Sequence, residues 1–79
     1  MKYFVLMMLF LTSLMAAVNL NTASQEELTS VPGIGEKKAA AILKYRKQYG
    51  HFKHVNDLVL VKGFGDKSVA KLKSKLSVQ

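Results

Sequence analysis

The sequence predicts an all-α domain of four to five short helices, preceded by an apolar N-terminal segment. Two observations predict this fold class. A pattern of residues recurs at a spacing of thirty positions, and apolar residues within each copy follow helical spacing. No alternation of apolar and polar residues predicts a strand. We therefore expect two units packed together within residues 18–79, each made of a helix, a short hairpin and a second helix.

Residues 1–17 have the layout of a secretory signal peptide. Lys2 gives a positive start, the apolar run of residues 3–15 follows, and Ala16 and Ala17 supply small residues before the polar sequence. An apolar helix of about 13–16 residues spans roughly 20–24 Å, less than the ~30 Å hydrocarbon core of a bilayer. A signal peptide for export is therefore favoured over a full membrane span.

The cleavage site of this segment does not fit the usual signal-peptide pattern as well as the rest of the segment does. Cleavage after Ala16 or Ala17 places Leu14 or Met15 at the position three residues upstream, where a small residue is usual. A cleaved signal and a retained anchor therefore both stay open. In either case we expect an exported domain, which is periplasmic or held at the membrane and faces outside.

The charge balance favours a polyanionic partner. The chain has a net charge of +7, and without Lys2 eleven Lys and Arg residues stand against five Asp and Glu, a net of +6. Such a balance suits nucleic acid or an anionic membrane surface, although a solvated basic face is the simpler alternative. The chain contains no cysteine, which excludes disulfides and cysteine-ligated zinc sites.

The repeat comprises residues 28–42 and residues 58–72. A leucine, a valine, two glycines, a lysine and an alanine recur at the same offsets, so two equivalent units related by a pseudo-twofold axis are expected. Ser24 and Glu27 form a predicted capping box, and Gly50 a predicted helix C-terminus. The predicted helices run from Ser24 to about Ser30, and over about Gly35–Gln48, Val55–Leu60 and Gly65–Ser77.

A Gly-x-Gly turn opens onto the second helix of each unit. Glycine allows a positive φ and a close approach, and the first amides of a helix lack internal partners. With the helix dipole they form an anion site, although a tight interhelical turn alone would also explain the glycines. Ile34 and Phe64 are expected to point into the core. The predicted phosphate-binding residues are Gly33, Gly35, Lys37, Lys38, Gly63, Gly65, Lys67 and Ser68.

Two further groups of side chains have a structural and a functional interpretation. Lys67, Lys71 and Lys75 form one helical stripe, which either contacts phosphate or is a solvated face; Lys67 is the best placed of the three. The aromatic residues Tyr45, Tyr49, Phe52 and Phe64 could stack on single-stranded bases, but their interhelical positions favour core packing.

The sequence offers no catalytic constellation. No nucleophile, base and orienting group occur together, and no two carboxylates are spaced as an acid–base pair. His51 and His54, with Asp57 nearby, lack the further ligands that a metal site needs. We therefore expect a binding protein that is not an enzyme and has no cofactor or metal.

A series of motif positions extends through residues 19–72: Asn19–Ala23, Glu27–Leu28, Pro32–Gly35, Ala39, Ile42, Tyr45–Arg46, Gly50, Phe52, Asp57–Leu58, Val61–Gly65 and Leu72. At these positions the sequence resembles the helix-hairpin-helix family, and more closely its ComEA-type competence proteins. Three departures are Phe64, where Ile or Val is usual, Lys62, where the first copy has Pro32, and His54, where a serine or threonine helix cap is commoner. We therefore expect the third helix to start less firmly.

The resemblance implies a tandem pair of hairpins that holds phosphates of both strands across the minor groove of double-stranded DNA. It further implies a receptor for DNA uptake in natural transformation, which binds without sequence specificity and acts as a ratchet when many copies bind incoming DNA. Contacts with the uptake machinery at the membrane and self-association on DNA belong to the same expectation. The alternatives are a structural helical interaction module and an accessory subunit of a separate DNA-processing enzyme.

Overall fold

The computed structural model describes residues 17–78. The predicted signal segment lies outside these residues, apart from Ala17. Among the described residues, no helix combines the length and the apolar character needed to cross a membrane. The elements are strand β1 (Val18–Asn19), helix α1 (Gln25–Thr29), helix α2 (Glu36–Tyr49), a 3₁₀ helix (Val55–Leu60), helix α3 (Asp66–Leu72), a 3₁₀ turn (Lys73–Lys75) and strand β2 (Leu76–Ser77).

Helix α1 begins with the predicted capping box. The Ser24 hydroxyl accepts a hydrogen bond from the Glu27 amide at 3.1 Å, and the Glu27 carboxylate accepts one from the Ser24 amide at 3.0 Å. These two bonds satisfy donors at the helix start that have no partner within the helix. The predicted start of this helix is confirmed. It could be predicted because the residues that form the capping box are close together in the sequence.

Helix α2 ends at the predicted glycine. Gly50 has a φ of +89°, in the region that favours glycine, and its amide donates to the Arg46 carbonyl at 2.9 Å. The helix therefore extends one residue further than predicted at this end. The connection that follows is fixed by Asn21, whose side-chain amide donates to the Phe52 carbonyl at 3.0 Å and whose carbonyl oxygen accepts from the Phe52 amide at 2.6 Å.

The third helix has the predicted limits but is of the tighter 3₁₀ type. Its start has no serine or threonine cap. Instead the Asp57 carboxylate accepts hydrogen bonds from the amides of Lys53 at 3.3 Å and His54 at 3.2 Å. A residue inside the helix thus fixes the start that His54 at the cap position was expected to weaken.

The C-terminal region corrects two predictions. The last helix was expected to reach Ser77, but α3 ends at Leu72, and the chain turns through Lys73–Lys75 into β2. The expectation of no strands was also wrong, because β2 pairs in parallel with β1, Val18 opposite Leu76 and Asn19 opposite Ser77. Strands of two residues are too short to show an alternating pattern in the sequence.

The core is one cluster to which both repeat units contribute. Equivalent residues of the two copies are buried together, which is the packing that the repeat predicts. Ile34 and Phe64 are 3% and 6% exposed, as expected for the central residues of the two turns. The buried apolar residues are Leu20, Ala23, Leu28, Val31, Ile34, Ala39, Ile42, Phe52, Leu58, Val61, Phe64, Val69, Leu72 and Leu76.

The aromatic residues do not all follow the prediction of core packing. Phe52 and Phe64 are buried, and Tyr45 is half-buried against the core. Tyr49 is 66% exposed, so its predicted place in the core is wrong. It lies at the last position of α2, where its ring lies against that of Tyr45, with 4.7 Å between the ring centroids.

Candidate nucleic-acid interface

The two glycine turns have the same backbone conformation. Gly33 has a φ of +100° and Gly63 a φ of +98°. In the first turn the Ile34 amide donates to the Val31 carbonyl at 3.0 Å, and in the second the Phe64 amide donates to the Val61 carbonyl at 3.1 Å. The sequence repeat therefore corresponds to a structural repeat at the positions predicted to bind phosphate.

The four predicted glycines are of two kinds. Gly33 and Gly63 have positive φ values, which side chains of L-residues rarely adopt, so the turns themselves require glycine there. Gly35 and Gly65 have φ values of −84° and −101°, which any residue adopts. A Cβ atom at either position would meet no heavy atom within 4 Å. The fold therefore does not require glycine at these two positions, and the space in front of them is open to a ligand.

Free backbone donors adjoin this open space. The first backbone hydrogen bond of α2 runs from the Ala39 amide to the Gly35 carbonyl at 2.9 Å. That of α3 runs from the Val69 amide to the Gly65 carbonyl at 3.0 Å. Gly35 and Gly65 occupy the N-cap positions, so no capping side chain accepts a hydrogen bond from the first amides of either helix. The preceding amides therefore have no partner within their helices. They belong to Glu36, Lys37 and Lys38 in α2, and to Asp66, Lys67 and Ser68 in α3.

Lys38 connects the first unit with the second turn. Its Nζ atom lies 5.3 Å from the centroid of the Phe64 ring, a cation–π distance. Its Cγ atom lies 3.8 Å from the place of a Cβ on Gly63. Conversely, Leu72 Cδ2 of the second unit lies 3.1 Å from the place of a Cβ on Gly33. Each turn thus packs against the helix of the other unit.

A cleft between the first turn and α3 collects positive charge; we call it the basic cleft. Lys38, Lys71 and Lys75 line it together with Ser68, and no carboxylate does. Its other lining residues are Pro32, Gly33 and Leu72. Lys67, which the sequence favoured over Lys71 and Lys75, is not among them. The grouping of Lys38 with Lys71 and Lys75 was missed, because it depends on how the units pack.

The predicted site residues therefore fall into three places. Gly35, Lys37 and Lys38 contribute backbone groups at the first turn, and Gly65, Lys67 and Ser68 do so at the second. Gly33 and Gly63 shape the turns. The side chains of Lys38 and Ser68 meet in the basic cleft. That these groups hold phosphate stays a prediction.

Negative charges also lie at the helix starts. Glu36 and Asp66 occupy the first turns of α2 and α3, where a carboxylate is favoured by the helix dipole. An incoming phosphate would compete with them for the same positive potential. Elsewhere, His51 and His54 are exposed, and residues 17–78 contain no group of three His, Asp or Glu residues placed to hold a metal.

Comparison with known proteins agrees with this geometry. Residues 15–77 match the model of the helix-hairpin-helix motif. The chain is 45% identical over 64 residues to ComE operon protein 1 of Bacillus subtilis, covering 81% of this chain and 31% of that protein. The chain therefore belongs to the helix-hairpin-helix family. The similarity to ComE operon protein 1 confirms its resemblance to the ComEA-type members.

Other relatives carry the same region in different contexts. The human endonuclease/exonuclease/phosphatase family domain-containing protein 1 is 41% identical over 61 residues, covering 77% of this chain and 11% of that protein. An uncharacterized protein of Haemophilus influenzae is 38% identical over 60 residues, covering 75% of this chain and 54% of that protein. The chain thus spans about a third or less of the length of the Bacillus and human relatives.

Proposed function

We propose that the chain binds double-stranded DNA through the two turns, acting as a tandem pair of helix-hairpin-helix motifs. The observation that carries this proposal is the presence of Gly35 and Gly65 where the fold does not require glycine. Both stand in front of unpaired helix-start amides, so a ligand that approaches the backbone closely explains them. Membership of the helix-hairpin-helix family and the similarity to a competence protein support DNA as that ligand.

The grip is electrostatic and independent of sequence. Amide groups and helix dipoles at the turns take phosphates of the two strands, and the lysines of the basic cleft add charge between them. Phosphate contacts position a protein on DNA but carry no sequence information. Nothing in this arrangement requires an atom of the protein to read the edge of a base.

We place this activity outside the cytoplasmic membrane, as a receptor for DNA uptake in natural transformation. The support is the signal-like layout of residues 1–17 and the similarity to ComE operon protein 1. Binding of successive copies along incoming DNA would oppose its return and act as a ratchet. Contacts with the uptake machinery and self-association on DNA are part of the same proposal.

The proposed role is binding without catalysis. An accessory role beside a DNA-processing enzyme is a second candidate, because the human relative joins a region 41% identical to this chain to a much longer protein named for a nuclease and phosphatase family. The two candidates differ in what accompanies the exported chain. Isolation of the chain from the cell envelope with a nuclease bound stoichiometrically would favour the accessory role.

The salt dependence of binding tests the electrostatic grip. With about 4–6 phosphates engaged, the logarithm of the association constant should fall against the logarithm of the salt concentration with a slope of roughly −4 to −5. Fluorescence anisotropy with duplexes of equal length and different sequence measures this slope. We expect the same affinity for each duplex within about twofold. A flat salt response, or strong preference for one sequence, would contradict the proposal.

A further inference from the structure

The repeat provides an internal comparison for a second groove. The basic cleft lies between the first turn and α3, and a shift of thirty residues carries Lys71 to Ala41 and Lys75 to Tyr45. A groove does lie there, between α2 and the approach to the second turn. We call it the apolar groove; its apolar lining comprises Ala40, Ala41, Tyr45, Tyr49, Leu60 and Val61.

Exposed apolar side chains concentrate at this groove. Within residues 17–78, the large hydrophobic residues that are exposed are Tyr49 at 66%, Leu60 at 64% and Val59 at 40%. Tyr49 and Leu60 line the groove, and Val59 adjoins Leu60. At the equivalent positions the first unit has Thr29 in place of Val59 and Ser30 in place of Leu60. The fold does not demand apolar residues there, and a cluster of them marks an interaction surface.

The charge around the apolar groove indicates what it receives. Lys37, Lys44 and Lys62 line it together with the polar Gln48, and no Asp or Glu does. An occupant must therefore combine apolar groups with negative charge. A second copy of this chain does not meet this requirement, because it is itself strongly basic. Its adjacent acidic pair, Glu26 and Glu27, is followed by a buried Leu28 rather than by an exposed apolar residue.

The shape of the aromatic pair favours a peptide over stacked bases. Tyr45 stacks on Phe52 at a centroid distance of 4.9 Å and an interplanar angle of 20°. The Tyr45 and Tyr49 rings are tilted by 43° to each other, so they form no parallel platform for successive bases. Much of the remaining apolar lining is aliphatic, from Ala40, Ala41 and Leu60. Such a surface suits an inserted apolar side chain.

We propose that the apolar groove docks a segment of a partner protein in which one apolar anchor residue is flanked by Asp or Glu. The anchor inserts between Tyr49 and Leu60, and the carboxylates meet the lysines at the rim. The groove borders the proposed phosphate-binding surface at Lys37 and Lys62. Docking uses their side chains, whereas the proposed phosphate binding uses the backbone amide of Lys37. Docking gives the chain a means of recruitment by another protein of acidic surface.

Peptide selection on the full chain, held in phosphatidylcholine nanodiscs, tests the proposal. Short random peptides are displayed on phage, and the enriched ones are synthesised with a fluorophore for anisotropy titration. We expect enrichment of a Leu, Phe or Trp anchor with neighbouring Asp or Glu. The double substitution Tyr49→Ser and Leu60→Ser should weaken their binding by at least about tenfold, since both side chains are removed from the contact.

Matched variants separate docking from folding and from general charge. Tyr49 and Leu60 are exposed, so the double variant should keep the thermal unfolding midpoint of the unaltered chain and its affinity for duplex DNA. Lys44→Glu should weaken the selected peptides by about fivefold or more, whereas Lys53→Glu, an equal charge change away from the groove, should have less than about a twofold effect.

Three results would overturn the proposal. The first is the absence of any enriched peptide, and the second is enrichment of peptides that lack acidic residues or that bind the double variant as well as the unaltered chain. The third is that single-stranded oligothymidylate, and no peptide, loses affinity in the double variant. In that case the groove is a nucleic-acid surface.

Discussion

The first turn (Pro32–Gly35) and the second turn (Lys62–Gly65) have the same backbone conformation but differ in their surroundings. A Cβ on Gly33 would meet Leu72 Cδ2 at 3.1 Å, whereas a Cβ on Gly63 would meet only the flexible side chain of Lys38, at 3.8 Å. The helix after the first turn has 14 residues and that after the second has seven. The backbone conformation that presents amide donors is thus the common property of the two units, and the packing around it is free to diverge.

The largest expected effect on stability comes from alanine at the enclosed glycine. Gly33→Ala combines an unfavourable positive φ with a tight contact to Leu72, and we expect it to destabilise the fold by about 2–3 kcal/mol. Gly63→Ala adds the backbone strain alone, about 1–2 kcal/mol. Thermal unfolding followed by circular dichroism measures both. Equal losses, or a larger loss for Gly63→Ala, would show that the packing difference between the turns is unimportant.

Removal of charge from the basic cleft should weaken DNA binding by an intermediate amount. Lys71→Gln with Lys75→Gln is expected to lower the affinity about tenfold and to reduce the salt slope by about 2, because two phosphate contacts are lost. Lys53→Gln with Lys73→Gln removes the same charge from exposed positions outside that cleft and is the matched control. If both pairs weaken binding equally, the cleft contributes only net charge.

The smallest expected effects have opposite signs for binding and for stability. Glu36→Gln with Asp66→Asn removes the carboxylates from the two helix starts. We expect the affinity for DNA to rise about threefold, because two like charges near the phosphates are gone. We expect the free energy of unfolding to fall by about 0.3–1 kcal/mol for each substitution, because the helix dipoles lose their partners. Anisotropy titration and chemical unfolding of the same samples measure both. Unchanged binding would place the phosphates away from these helix starts.

Features encoded locally could be predicted from the sequence. The capping box of Ser24 and Glu27, the helix end at Gly50 and the burial of Ile34 and Phe64 follow from neighbouring residues or from helical spacing. The four turn glycines were recognised as a group, but their division into structural and unconstrained positions needed the φ values and the open space around Gly35 and Gly65.

Features that arise from contacts between distant residues could not be predicted. The position of Lys38 over Phe64 joins residues of different units, and the basic cleft follows from it. The pairing of β1 with β2 joins the beginning of the described chain to its end through two residues on each side. The exposure of Tyr49 depends on where α2 ends relative to the core, which helical periodicity does not specify.

The most direct test of the proposed DNA grip fills the open space at both turns. Gly35→Val with Gly65→Val places side chains where a phosphate would sit, at φ values that valine adopts. Ala40→Val with Ala70→Val adds the same residue type at exposed, equivalent helix positions and is the control.

Anisotropy titration of a short duplex, with circular dichroism of each variant, gives the answer. We expect the glycine pair to lose at least about a hundredfold in affinity while helicity is kept, since every amide contact at both turns is blocked. The alanine pair should bind within about threefold of the unaltered chain. Duplex binding that survives the valines at Gly35 and Gly65 would contradict the assignment of the turns as the DNA-binding site.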